Sequence, residues 1–417
     1  MSIFYIDAHV HSKYSRATGK DLDLENLEKY ARIKGVNLLG TGDFTHPKWF
    51  SELKNKLKED KSGILRSKSG FPFILQTEVS LIYTQGNQGR RVHNLVLAPD
   101  FDTVSQITEY LLKHGRVDYD GRPIFGISCP DFVESLKQIS KEIHIIPAHI
   151  WTSWFSLFGA NSGFNSVQEC FQDQTKHIFA LETGLSSSPA MNWRLSQLDK
   201  YSLVSFSDLH AFWPWRIGRE CTVLDLKEIS YKNIIDAIKK KNPKEFLFTI
   251  EFYPEEGKYH WTGHRTCGVV LPPEEAKQIN DICPKCKSKL TVGVAERVEE
   301  LADRPEGFVP ENAILFKCIV PLSEIIAKIH SYGIATKNVW QTYNKLIAKF
   351  GTEFNILLNA PEHELAKESS PELAKAIIMN REGNVSIKPG YDGVYGEPSF
   401  GEEIKITKRK QSNLTEF

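Results

Sequence analysis

Nowhere does this chain hold a run of about 18 apolar residues, so it offers no membrane-spanning helix. Its first residues lack the charged-then-apolar pattern of a secretory leader. Neither charge is in excess: Lys and Arg number 52, and so do Asp and Glu. That balance withholds the global basicity of many nucleic-acid binders, although a basic groove beside an acidic pocket would also sum to zero. Internal repeats and low-complexity tracts are missing, which sets aside solenoids and disordered arrays. Cysteine is scarce. The seven present form an odd set with one Cys-x-x-Cys pair, which suits metal binding in a reducing compartment better than a disulfide framework. What remains is ordinary for a soluble, intracellular protein: 417 residues, 41% hydrophobic and 25% charged. That length allows two or three domains.

From residue 1 to about 250, short β-like runs alternate with amphipathic stretches such as 24–34, 104–113 and 231–240. The alternation predicts parallel strands with crossover helices. Residues 251–310 are rich in Gly, Pro, Glu and Cys, as expected of a small module held by a metal. Residues 311–396 read as helical, with Leu322, Ile325, Ile326 and Ile329 at helical spacing, and 397–417 as a polar, basic tail.

The residues that carry chemistry stand just past the apolar runs. Ile3-Phe4-Tyr5-Ile6 leads to His9 and His11, and Val36-Asn37-Leu38-Leu39 leads to Asp43. Phe73-Ile74-Leu75 leads to Glu78, Val92 to His93, residues 143–146 to His149, and Leu203-Val204-Ser205-Phe206 to Asp208 and His210. Imidazole and carboxylate suit zinc, manganese and iron(II). Strand ends are where a barrel gathers its active site. Five imidazoles and three carboxylates suffice for two ions with open positions, the equipment for cutting a phosphate ester.

The order His-x-His, Asp, Glu, His, His, Asp-x-His resembles the PHP (polymerase and histidinol phosphatase) superfamily over residues 1 to about 225. The resemblance implies an α/β fold, a distorted (β/α)7 barrel, with His9, His11, Asp43, Glu78, His93, His149, Asp208 and His210 as ligands. Glu78, His149, Asp208 and His210 are expected to act in catalysis. His46 is an alternative ligand. Arg16 stands where the superfamily often carries an acid or His. That leaves the count at two or three divalent ions (zinc, manganese or magnesium) and offers Arg16 or Lys20 to substrate phosphate.

Fifteen residues separate His264-Arg265-Thr266-Cys267 from Cys283-Pro284-Lys285-Cys286. Two ligand pairs so spaced read as a zinc ribbon, with His264, Cys267, Cys283 and Cys286 holding one structural zinc and His260 competing for the fourth place. Six of the eight tryptophans fall between residues 151 and 261. Trp151 and Trp154 follow one ligand and Trp213 and Trp215 another, so they are expected to stack on bases at the rim, with Arg194, Arg216 and Arg219 gripping phosphate.

Residues 150–155 and 179–187, Gly257-Lys258-Tyr259-His260, the Cys-x-x-Cys segment and 297–305 resemble archaeal endonuclease Q, over nearly the whole chain. That resemblance implies a PHP barrel with appended zinc-binding and helical domains. It further implies a nuclease that nicks double- or single-stranded DNA on the 5′ side of deaminated bases (hypoxanthine, uracil, xanthine) and abasic sites, leaving 3′-hydroxyl and 5′-phosphate ends. The alternative is a phosphatase of the same superfamily acting on a small phosphate monoester. A base pocket is expected around 159–170 and 185–192, where small polar residues let backbone approach a base. Gln411, Leu414 and Phe417 follow the spacing of a sliding-clamp (PCNA) interaction peptide. The expectation is a monomer in the cytoplasm, associated with the nucleoid.

Overall fold

The structure is a computed structural model that describes residues 2–401. The clamp-peptide residues Gln411, Leu414 and Phe417 therefore lie outside the described residues. Eleven strands join in one sheet. At its centre Ser2–Asp7 runs parallel to Leu38–Gly40, which runs parallel to Pro72–Gln85. The helix Leu24–Lys34 makes the crossover between the first two. Asp23 caps it by accepting from Asn26 N at 2.9 Å, and Gly35 ends it in the left-handed region (φ 101°). Its buried face is Leu24, Leu27 and Ala31.

Elsewhere the sheet departs from the expected parallel order. Gly86 and Asn87 both have positive φ, so Pro72–Gln85 folds back through a two-residue turn onto Gln88–Ala98, with Gln85 opposite Gln88. A connection that short permits only antiparallel pairing. Gln88–Ala98 in turn pairs antiparallel with His144–Pro147. On the other flank Cys221–Leu226 is antiparallel to Ser2–Asp7 and to Phe246–Glu251. Leu315–Cys318 completes the sheet beside Phe246–Glu251, so the stretch expected to be helical from 311 opens with a strand.

Ala180–Glu182 and Ser202–Val204 form a separate parallel pair set between the two flanks. Ile150 N donates to Glu182 O at 3.0 Å on one side. On the other, Ser205 N donates to Thr222 Oγ1 at 3.1 Å, and His11 N donates to Leu209 O at 3.2 Å.

Five helices (Leu322–Ile329, Lys337–Phe350, Glu353–Leu358, Glu362–Glu368 and Pro371–Arg381) pack on the sheet through one continuous apolar core that includes Val10, Val223, Ile326 and Ile356. A buried ion pair fastens them: Lys34 Nζ lies 2.6 Å from Glu353 Oε1, and Glu353 also accepts from Leu322 N and Tyr343 OH. The cysteine-bearing segment has a core of its own, Val269, Cys283 and Leu290, under the hairpin Thr262–His264 and Val269–Leu271. Among the described residues no helix is long and apolar enough to cross a membrane.

Candidate metal centre

Two groups of metal-ligating side chains meet at Glu78. His9, His11, Glu78 and Asp208 form one, and Glu78, His93 and His149 the other; within each group the ligand atoms lie inside 4.8 Å of one another. Glu78 Oε2 stands 3.2 Å from His11 Nε2 and 3.6 Å from His9 Nε2, while Oε1 stands 2.6 Å from His93 Nδ1 and 3.1 Å from His149 Nε2. Asp208 Oδ1 faces His9 Nε2 at 3.4 Å and His11 Nε2 at 3.2 Å. One carboxylate thus spans both groups.

Strand geometry explains the convergence, with one change from expectation. Glu78 and His93 come from strand interiors, not strand ends: Ser80 pairs with His93 and Glu78 with Leu95, so Glu78 and His93 sit diagonally on one face of the hairpin. His9, His11, Asp43, His149 and Asp208 do follow strand ends. Asp43 (φ 44°), His149 (φ 29°) and Asp208 (φ 47°) all adopt the left-handed backbone, which Asp and His tolerate better than most residues. Such strained residues cluster where function over-determines the backbone. Gly184 makes room for the second of them, because a Cβ there would lie 2.4 Å from that of His149.

The donor set fits divalent cations. His9 Nδ1 faces Glu182 Oε1 at 2.9 Å, leaving Nε2 buried without a hydrogen-bond partner and turned toward Glu78 and Asp208. His11 Nδ1 faces Asp43 Oδ1 at 3.0 Å, and His149 Nδ1 faces Thr152 Oγ1 at 3.1 Å. In each ring an oxygen holds Nδ1 and presents Nε2 inward, the arrangement by which a second oxygen partner fixes tautomer and aim for a metal. Electrostatics agree. Burial works against charge on His9, yet Glu182, Asp208 and Glu78 carry its pKa well above the usual imidazole range. Burial would raise Glu78, but His93, Arg122 and His9 hold it well below the usual carboxylate value. Burial lowers His93 to about 4.

Not every expected ligand joins. Both oxygens of Asp43 are engaged, Oδ1 with His11 and Oδ2 with Ser12 N (2.6 Å) and Ser15 Oγ (2.9 Å), so it stands outside the two groups as the partner that aims His11. His210 also stands outside them, its Nδ1 3.6 Å from Asp208 Oδ1 and its ring 4.5 Å from that of His11. His46 stacks on Tyr14 at 4.4 Å and reaches neither group. Sequence reasoning missed Glu182, which also accepts from His149 N at 2.6 Å, and Arg122, whose Nη1 lies 3.2 Å from Glu78 Oε2. Glu182 ends a short apolar run like the others, which is the signal that could have found it; Arg122 offers none.

His264, Cys267, Cys283 and Cys286 come together as a third group, with Cys286 Sγ 3.3 Å from His264 Nδ1, whereas His260 is buried elsewhere. Hydrogen bonds from Ser288 bring the Cys286 thiol down to about 6. Trp154 and Trp213 are exposed, and Trp213 stacks flat on Trp215 at 5.4 Å beside Trp340. Trp151 is not a rim residue. It is 1% exposed, stacks on Phe158 and donates to Asn192 Oδ1 at 2.7 Å, so it belongs to the core. Arg219 is buried and spends its guanidinium on the Ser207 carbonyl, and Arg194 pairs with Glu299 at 2.7 Å, so neither is free for phosphate. Arg216 is half-buried, Lys20 is exposed, and Arg16 is exposed with Nε 3.4 Å from Asp120. Of the expected base-pocket stretches, 185–192 is buried to half-buried, while 159–165 borders a cavity of about 580 Å³ with Arg90 and Arg297.

Fold and site together define an α/β protein with a buried cluster of histidines and carboxylates able to hold metal, in which Glu78 is shared by two ligand groups, and a separate three-cysteine, one-histidine group. The structure of the lesion-specific endonuclease PfuEndoQ from Pyrococcus furiosus is similar to it at TM-score 0.87 and 30% identity, covering 98% of each chain. So is that of Endonuclease Q in complex with a 27-mer duplex substrate carrying an abasic lesion at the active site, at TM-score 0.86, 31% identity, and 98% and 99% coverage. The chain belongs to the endonuclease Q family. Residues 321–384 match the family model of the MJ0043 C-terminal domain. The uncharacterized protein MJ0043 of Methanocaldococcus jannaschii is 31% identical over 70% of this chain, which spans about a third (35%) of that protein's length. The uncharacterized protein YqxK of Bacillus subtilis is 29% identical over 95% of this chain and 99% of its own.

Proposed function

We propose that this protein is a metal-dependent DNA-repair endonuclease that hydrolyses the phosphodiester 5′ of deaminated bases and abasic sites, leaving 3′-hydroxyl and 5′-phosphate ends. The observation that carries the reading is Glu78, which bridges two buried ligand groups within a family whose named members act on lesions. His9, His11, Glu78 and Asp208 would hold one cation and Glu78, His93 and His149 a second. Bound there, divalent ions supply Lewis acidity toward the phosphate and a water acidified to near-neutral pKa. The chain's own residues do the rest. Glu182 and Asp43 keep His9 and His11 in one tautomer, and Arg122 adds a fixed positive charge beside Glu78. The exposed Trp154 and the Trp213–Trp215 stack offer flat faces to unpaired bases.

Lesion choice rests on hydrogen-bond chemistry. Deamination replaces an amino donor with a keto acceptor, so a pocket of fixed N–H donors accepts uracil or hypoxanthine. It meets cytosine or adenine donor to donor, at about 1–3 kcal/mol for each group left unpaired. Extruding the nucleotide costs least at a damaged position. The same reading carries a distorted barrel closed through Ala180–Glu182 and Ser202–Val204, and a structural zinc on His264, Cys267, Cys283 and Cys286. It also carries division into a barrel (1–250), zinc module (251–310), helical domain (311–396) and tail, a monomeric state, and nucleoid association through DNA and a sliding clamp.

Labelled duplexes containing uracil, hypoxanthine or an abasic site, incubated with wild type and Asp208→Ala, test the reading. Wild type should give one nick 5′ of the lesion with a ligatable 3′-hydroxyl, and the variant none. Release of phosphate from a generic monoester, with every duplex left whole, would refute it.

A further inference from the structure

A second recess lies at the other end of the strands that serve the metal centre. His144 begins the strand that leads to His149, and Phe179 immediately precedes the strand ending at Glu182. The recess measures about 490 Å³. Lys137 and Lys141 reach it from the end of the helix Cys129–Ile139 and the turn beyond, Lys176 and His177 from Gln172–His177, and Lys239 from the end of Tyr231–Lys240. Glu134 is the one carboxylate among the described lining residues.

Among the described residues these cations make no close ion pairs, although Glu142 favours charge on Lys137, and Asp236 and Glu142 favour it on Lys239. Lys137 donates to the carbonyls of Ile143 and Lys141 in the turn beyond its helix, and among the described residues none of the four lysines stands in an ion pair. They are close enough to disturb one another. Burial, and then Lys239, brings Lys137 down to about 8. Burial, Lys137 and Lys239 together bring His144 down to about 3. His144 lines the recess at 3% exposure, and its Nδ1 has no hydrogen-bond partner. A recess lined by four lysines against one carboxylate, with an unpaired buried imidazole, is stabilised by whatever brings negative charge and acceptor oxygens into it.

We propose that this recess binds a small molecule bearing a diphosphate group. Four ammonium groups exceed what a single phosphate neutralises. The volume falls within the range of about 300–1,000 Å³ typical of small-ligand sites. Phe179, with Lys239 Nζ 4.9 Å from its ring centroid, gives the recess one aromatic wall, which suits an organic diphosphate. The proposal stands apart from the nuclease reading, because no residue of the recess belongs to the metal centre.

Calorimetric titration of the full chain at constant ionic strength tests it, with inorganic pyrophosphate, ADP and sulfate as probes. Pyrophosphate should bind at least tenfold more tightly than sulfate. The double variant Lys176→Ala, Lys239→Ala should weaken pyrophosphate binding at least tenfold while keeping the wild-type circular dichroism, and Asp208→Ala should leave it within twofold. ADP binding at least as tightly as pyrophosphate would extend the site to the organic part, and weaker ADP binding would overturn the organic ligand. Loss of binding in Asp208→Ala with retention in the double variant would move the anion to the metal centre. Equal, weak binding of sulfate and pyrophosphate would mean an adventitious ion only. A double variant that binds pyrophosphate normally but loses duplex affinity would make the recess a DNA contact. Each of those three results overturns the proposal.

Discussion

Single carboxylates decide what the centre can do, and each has a separable job. Glu78 belongs to both ligand groups, whereas Glu182 belongs to neither and acts by holding His9 Nδ1 and His149 N. Glu182→Gln keeps the shape but loses the charge that fixes the imidazole. It should lower metal affinity about 10–100-fold with the fold retained, as metal titration beside circular dichroism would register. A wild-type metal affinity would remove Glu182 from the positioning set. Farther from the centre, Glu251 is buried with Glu220, and burial raises its carboxyl from 4.5 to about 8. The native state therefore holds a proton that the unfolded chain has released between those values. The contribution of this group to stability is fully present below the unfolded value and is lost as pH rises through about 8. Glu251→Gln should flatten that part of a Tm-against-pH profile; an unchanged slope would place the proton elsewhere.

At the level of elements, two aromatic clusters that look alike in sequence part company. Residues 151–155 turn Trp151 into the core against Phe158 and leave Trp154 outside, while 212–215 stack Trp213 on Trp215 at the surface. Trp151→Ala should cost about 3–5 kcal/mol of stability, as large-to-small core changes do. Trp154→Ala and Trp213→Ala should leave the unfolding midpoint within a degree or two and weaken duplex binding. Denaturant melts and a binding titration of the three variants separate the cases; a large loss of stability in Trp213→Ala would make that stack structural. The difference was invisible in composition because burial depends on which side of a turn faces the sheet.

Across the whole molecule, the helices from Leu322 onward share the core of the sheet, and Lys34 and Glu353 form a buried ion pair between them at 2.6 Å. Breaking such a pair from one side leaves a buried charge without its partner, at about 3–5 kcal/mol. Lys34→Met should lower stability by that order while unfolding remains a single transition. Two separate transitions in the wild type would mean that the helical part folds as an independent unit. The sheet that carries this core is mixed, not parallel, because the two-residue turn at Gly86-Asn87 forces a hairpin where a crossover was expected.

Local order along the chain was enough to announce the chemistry. Short apolar runs followed by imidazole or carboxylate named His9, His11, Glu78, His93, His149 and Asp208, and ligand spacing named His264, Cys267, Cys283 and Cys286, because donor type and backbone period are properties of neighbouring residues. What tertiary structure alone decided was which donors gather into one group and which hydrogen-bond to a member of it from outside. Asp43 and Asp208 both follow strands with left-handed backbones, yet Ser12 and Ser15 claim the first and the cup receives the second. That outcome is set by contacts between segments up to about two hundred residues apart, and such distances are written nowhere in the order of the chain.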